Sequence, residues 1–228
     1  MRPPQAGAMV PFMFPPRHYP TPAAKCADLV VHVAGLTFAL IGGGVLLGLS
    51  VKIGTLGQVA AVGVYSLAMV AMLALSTAYN FAKPAWRPLL RRFDHAGIFL
   101  MIAGSYTPFT TQNLTGAWSI AMTTAVWSLA ALGIFGKLFL PGLGRRFWVG
   151  LYLALGWLVL VAIKPMVEGL SWVALLLLAL GGAIYSTGAV FYLLERLKFR
   201  RAIWHGHVVG GAVLQYVAVL MGVVLAQH

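Results

Sequence analysis

Long apolar runs, interrupted at short intervals by polar residues, set the pattern of the chain. They fall at about 29–49, 56–81, 95–112, 117–139, 147–163, 170–194 and 203–225. Some 20 residues of α-helix cross the ~30 Å of bilayer hydrocarbon, so each run predicts one spanning helix. The runs 95–112 and 147–163 are the shortest and must lean on their flanking residues. The expected fold is therefore all-α, a polytopic bundle of seven transmembrane helices. The connections are short and leave no room for a soluble catalytic domain, and no internal repeat divides the bundle. Residues 1–28 carry prolines at 3, 4, 11, 15, 16, 20 and 22 and lack a continuous apolar stretch ending in a small-residue cleavage site. They are read as a loosely ordered cytoplasmic tail, not a signal peptide, with the "VPFMF" patch as a possible cover.

Charge gives these helices a direction. The chain is 61% hydrophobic and only 9% charged, against roughly 25% charge in a soluble domain. Its mean hydropathy is +0.89. Basic residues occupy the tail (Arg2, Arg17, Lys25) and the second (Lys83, Arg87, Arg91, Arg92), fourth (Lys137, Arg145, Arg146) and sixth loops (Arg196, Lys198, Arg200, Arg201). The opposite loops hold only Lys52 and Lys164. This alternation predicts a cytoplasmic N-terminus, and an odd number of spans then puts His228 outside. The formal charge of +12 is explained by anionic lipid rather than nucleic acid. Cys26 is the only cysteine, which excludes an intrachain disulfide. The pairs Gly44/Gly48 and Gly206/Gly210 have small-xxx-small spacing and are expected to pack helices within a monomer. Dimerisation and close approach to a ligand are the alternatives, so the expected state is a monomer or weak homo-oligomer.

Polar residues inside apolar helices mark the candidate chemistry. Ser76 and Asn80 lie one turn apart at the end of the second helix, Asp94 opens the third, and Arg201 and His205 share a face at the start of the seventh. All five fall at one membrane level near the cytoplasm. An acid in this setting is costly unless paired, which makes Asp94 the leading site residue, with Ser76 beside it as the other catalytic candidate. The bland reading of Asp94 is a helix-start carboxylate at the headgroups, and that of Ser76 is a hydroxyl bonded to its own helix. His207 and His95 point away from the cluster, while His18, His32 and His228 read as packing or solvent residues. Ser105, Tyr106 and Thr107 are expected to satisfy backbone groups freed near Pro108.

The stretches "HVAGLTFALIGGGVLL", "LSTAYN", "RRFDHAGIFLMIAGSYTPFT" and "IWHGHVVGGAVLQYVAVL" resemble the haemolysin III family, the bacterial branch of the progestin and adipoQ receptor superfamily. The resemblance covers nearly all of the chain after about residue 25. It implies seven helices with a cytoplasmic N-terminus, in a bacterial cytoplasmic (inner) membrane. It also implies a zinc ion held by one histidine ending the second helix and two opening the seventh, near a serine and an aspartate. Carried over, the serine is Ser76, the aspartate Asp94 and one histidine His205. The other two metal positions fall on Asn80 and Arg201, and a further family histidine falls on Gln215. A neutral amide is a poor zinc donor, and a guanidinium donates no lone pair and repels the cation.

No cofactor is therefore expected, with zinc through His205 as the alternative. Arg201 is expected to stand in for the metal by pairing with Asp94, with Asn80 and Ser76 adding hydrogen bonds and His205 left unpaired. The expected function is noncatalytic membrane or lipid homeostasis, with lipids as partners. A zinc-dependent intramembrane hydrolase of a lipid amide or ester is the alternative, and a channel or transporter comes third.

Overall fold

The computed structural model describes residues 18–140 and 142–226. The "VPFMF" patch, Arg2, Arg17 and His228 lie outside the described residues. Helix α1 (Pro22–Ile53) is followed by α2 (Leu56–Phe81), α3 (Arg87–Gln112) and α4 (Gly116–Phe139). Next come α5 (Arg145–Gly156), a 3₁₀ turn (Leu158–Ala162) and α6 (Ile163–Gly169), which together make one interrupted rod. The chain closes with α7 (Trp172–Leu193) and α8 (Arg200–Val219), which runs into a π turn (Leu220–Val224). The seven apolar runs thus become seven helical rods among the described residues.

Local chemistry sets where several of these rods begin. The Thr21 hydroxyl accepts from the Ala24 N–H at 3.1 Å with Pro22 in the first helical position, so α1 starts earlier than the apolar run at 29 implied. That correction brings Asp28 out of the supposed tail and into a helix. Thr55 and Ser171 cap α2 and α7 in the same way, accepting from Gln58 and Ala174. Gly116 opens α4 at φ 56°, a backbone conformation that penalises a Cβ.

Six of the rods are long and apolar enough to cross a membrane. The exception is α3, whose first turns carry Arg91, Arg92 and Asp94 and whose second half carries Ser105, Tyr106, Thr107, Thr110 and Thr111. Packing against α2, α4, α5 and α8 explains the difference. A helix screened from lipid can be polar if its groups bond to one another. Thr107 donates to Ala103 O at 2.9 Å and accepts from Trp127 Nε1 at 3.1 Å, and Thr123 donates to Thr110 at 2.8 Å. The outer faces are the reverse, with Leu29, Val33, Leu40, Ile41 and Val45 of α1 all exposed.

The break in the fifth rod is stitched by α3. The Tyr106 hydroxyl donates to Gly156 O at 2.8 Å and accepts from the Val159 N–H at 2.8 Å, tying down both sides of the helix interruption. The hydroxyls are expected to satisfy backbone freed near Pro108; Tyr106 instead serves the neighbouring rod, and Ser105 and Thr107 bond to Ile102 O and Ala103 O. The close helix packing expected at Gly44/Gly48 and Gly206/Gly210 is not found there. Gly44, Gly48 and Gly206 have nothing against them, and a Cβ at Gly210 would meet only Ile184. The close approaches fall instead at Gly35 against Val209, Gly104 against Ala68 and Gly133 against Phe99.

Polar links mark both ends of the bundle. At one end Gln58 donates to Val224 O, and Asn113 to Gly169 O and Gly222 O, using carbonyls that the α6 terminus and π turn leave free. At the other end lie the start of α1, the end of α2, and the starts of α3 and α8.

Candidate functional site

Asp28 of α1 is fully buried and uses both carboxylate oxygens. Oδ1 accepts from His205 Nδ1 at 2.6 Å, and Oδ2 from the Tyr19 hydroxyl at 2.5 Å. One turn on, the His32 Nδ1 donates to Asp28 O at 2.8 Å, since a carbonyl can only accept. Both imidazoles thereby use Nδ1 as a donor and turn Nε2 inward. The two Nε2 atoms meet at one point, each 3.4 Å from Ser76 Oγ, and the ring centroids are 4.3 Å apart.

A second layer lies next to this core. Asn80 Nδ2 donates to Ser76 O at 3.0 Å and to Ser76 Oγ at 3.5 Å, while its Oδ1 accepts from Arg201 Nη1 at 3.0 Å. Arg201 also donates to His18 O at 3.2 Å and to His18 Nδ1 at 3.3 Å. Because the guanidinium can only donate, His18 Nδ1 is the acceptor and its Nε2–H points at Asn80 Oδ1, 3.3 Å away. Burial, with the Arg201 and Arg87 charges adding to it, pulls His18 down to about 4, so its imidazole is neutral at pH 7. The Tyr19 phenol is pushed well above its ordinary value by burial and by its bond to Asp28. Arg201 also lies over the Tyr19 and Tyr79 rings, 5.6 and 5.9 Å from their centroids.

Ser76, Asn80, Arg201 and His205 are therefore joined by direct contacts. Asp94 is buried on the wall of the same cavity and makes a different set of interactions from the one expected. The only titratable side chain within 4.0 Å of its carboxylate among the described residues is His95, whose Nε2 lies at 4.0 Å, and Arg201 forms no ion pair with it there. Arg201 does turn inward, but Asn80 and His18 use its donors first. His205 is not left unpaired, because Asp28 holds it.

Asp28, His32 and His18 are the residues that sequence reasoning missed. The usable signal was the four-residue spacing of Asp28 and His32, which puts an acid and an imidazole on one helical face at the depth of Ser76. Starting the first span at 29 hid it by cutting the pair in two. His18 carried no such signal, because its position depends on how the segment before Pro22 folds over α2 and α8.

The cavity behind the cluster has a volume of about 690 Å³. Arg91, Arg92, Lys137 and Arg145 line one end beside Asp94 and His205, while Ile98, Met101, Phe109, Leu160 and Met166 continue as an apolar shaft. On α3 the lining runs from Arg91 to Phe109, roughly 27 Å at 1.5 Å per residue.

The zinc positions implied by the resemblance do not fit this chemistry. Asn80 is committed to Ser76 and Arg201, and Arg201 brings a fixed positive charge to a ligand position. A separate trio that can hold a metal, Asp28, His32 and His205, has one ligand atom from each residue within 4.8 Å of the others.

Comparison with known proteins identifies the family. Residues 25–216 match the family model described as haemolysin-III related. The chain is similar to Hemolysin-3 of Bacillus cereus, with 36% identity over 86% of this chain and 90% of that one. It is similar to the Hemolysin-3 homolog of Bacillus subtilis (strain 168), with 31% identity over 86% and 92%. A more distant human relative, the monocyte to macrophage differentiation factor, is 25% identical over 89% of this chain and 86% of its own. With six helices long and apolar enough to cross a membrane, this multi-pass membrane protein belongs to the haemolysin-III-related family.

Proposed function

We propose that this protein is a noncatalytic, lipid-responsive member of its family, and that its cavity receives the chain of an amphiphile whose anionic head rests on the basic residues. The two-part lining of the cavity carries this reading. A volume of about 690 Å³ with arginines and a lysine at one end and aliphatic and aromatic side chains along the rest matches a charged head on an apolar chain. Its size is that of ordinary ligand sites, roughly 300–1,000 Å³. In this reading α3 is the seventh span, buried among its neighbours, and the cluster end faces the cytoplasm. The clustering of Arg91, Arg92, Lys137 and Arg145 at that end supports the orientation. Reporter tags at the two termini should read from opposite sides of the membrane, and both on one side would overturn it.

One observation favours hydrolysis of a lipid amide or ester as a second reading. Asp28, His205 and Ser76 follow one another as carboxylate, imidazole and hydroxyl at 2.6 and 3.4 Å, the order in which a carboxylate orients a base toward a serine. Lipid profiling of cells carrying wild type, Ser76→Ala, His205→Ala or no gene separates the two. Altered bulk lipid order with no missing product supports the noncatalytic role. A defined product lost in both variants supports hydrolysis.

A further inference from the structure

Several polar side chains along the apolar shaft are already bonded within the protein. Ser105 donates to Ile102 O, Ser186 to Gly182 O, and the Tyr106 hydroxyl to Gly156 O. Two on the same wall are not. Tyr185 of α7 and Gln215 of α8 both line the cavity. The Tyr185 hydroxyl is buried with no hydrogen-bond partner among the described residues, and the Gln215 amide makes no hydrogen bond there either. In the hydrocarbon layer, where water does not stand in for a missing partner, an unpaired hydroxyl or amide is costly.

Their placement is built into the backbone. Helices α7 and α8 cross where Gly181 and Gly211 meet, so closely that a Cβ on Gly181 would lie 3.4 Å from Gly211 O. Each polar residue stands one turn from the glycine of its own helix and lies over the glycine of the other. The Tyr185 ring covers Gly211, where a Cβ would come within 2.8 Å of Cε2, and the Gln215 amide covers Gly181, where a Cβ would come within 3.1 Å of Nε2. Two side chains with free donors are thus held at one level of the shaft. That level lies between Gly211 and Gln215, roughly 9–15 Å along α8 from His205 and the basic end.

We infer that this crossing is a second polar subsite, which takes a hydroxyl or carbonyl oxygen carried in mid-chain by the amphiphile. Both residues can donate to such an oxygen, and the Gln215 carbonyl can accept from a hydroxyl. An extended chain advances about 1.2 Å per bond, so the oxygen belongs about 8–12 bonds from the head. A plain alkyl chain would bury the hydroxyl and the amide unpaired, and the site therefore discriminates by the oxygen and not by chain length. This inference rests on the lipid reading and adds which kind of lipid the cavity selects.

The test is a competition between stearate and 12-hydroxystearate for the full chain in mild detergent. Native mass spectrometry reads it, because the two adducts differ by one oxygen atom. Tyr185→Phe and Gln215→Leu are measured in the same detergent, so that unequal partition of the two acids into micelles cancels. Each variant should lower the ratio of hydroxystearate to stearate adduct by about 3–10-fold relative to wild type, the range for one hydrogen bond, with the stearate adduct itself retained. Because the Tyr185 hydroxyl has no partner among the described residues, Tyr185→Phe should melt no lower than wild type without ligand. An unchanged ratio in either folded variant, or a lower melting temperature for unliganded Tyr185→Phe, overturns the inference and leaves the lipid reading standing. Folded wild type that takes up neither acid overturns both. If Gln215→Leu does not fold, Tyr185→Phe, which removes only the hydroxyl, decides alone.

Discussion

Replacing Asp28 by alanine should be among the most damaging single changes at the cluster end. The substitution deletes an acceptor with no solvent exposure and leaves the His205 Nδ1–H and the Tyr19 hydroxyl unpaired. A hydrogen bond to a charged group contributes about 1.5–3 kcal/mol, and a buried partner left unsatisfied incurs a desolvation penalty of similar size. With two such bonds lost and some relaxation of Tyr19, the expected destabilisation is about 3–5 kcal/mol, the range for breaking a buried charged pair. Asp28→Asn keeps the shape and can still accept from His205 while donating to Tyr19, so about 1–3 kcal/mol should be lost. Tyr19→Phe removes one bond and should cost less than Asp28→Ala. In the double variant the two effects should fall short of additivity by about 1–2 kcal/mol, because the shared bond is counted in each single change. Unfolding in mild detergent, followed by tryptophan fluorescence, measures the four variants against wild type. Asp28→Ala within about 0.5 kcal/mol of wild type, or full additivity with Tyr19→Phe, would refute the reasoning.

Two further outcomes follow from the contacts around the break and the first turn. Tyr106→Phe should cost about 2 kcal/mol, because the Val159 N–H loses its acceptor in an apolar setting; hydrogen exchange should rise at residues 157–160 before it rises elsewhere, and unchanged exchange there would contradict the stitch. His18 has a folded value near 4, against an ordinary 6.5, so its contribution is intact above about 6.5 and is lost as pH falls toward 4. Wild type should therefore lose melting temperature across that window more steeply than His18→Gln, and identical pH profiles would count against the contact with Arg201.

The helical rods were legible because lipid leaves little choice: apolar runs of spanning length must satisfy their backbones internally, and the pattern at 56–81 or 117–139 allows little else. The level at which Ser76, Asn80, Arg201 and His205 meet was legible for the same reason, since alternating helices bring known ends together. The partners were not. Whether Arg201 reaches Asp94 or Asn80 is settled by a few ångströms of helix rotation, which periodicity does not record. Asp28 was lost because hydropathy marks where the apolar face begins, whereas the Thr21 cap and Pro22 mark where the helix does. The break at Trp157 was hidden too, because its carbonyls and N–H groups are satisfied by a tyrosine from another helix. A short fifth run was its only trace.

Native mass spectrometry of protein released gently from membranes tests the lipid reading most directly. The wild-type protein should carry one bound amphiphile with an anionic head. Ala179→Trp, which fills an exposed position on the cavity wall, should lose that adduct while remaining folded. Wild type that emerges free of lipid, or an adduct equally abundant on Ala179→Trp, would contradict the claim that the cavity is the place where lipid is received.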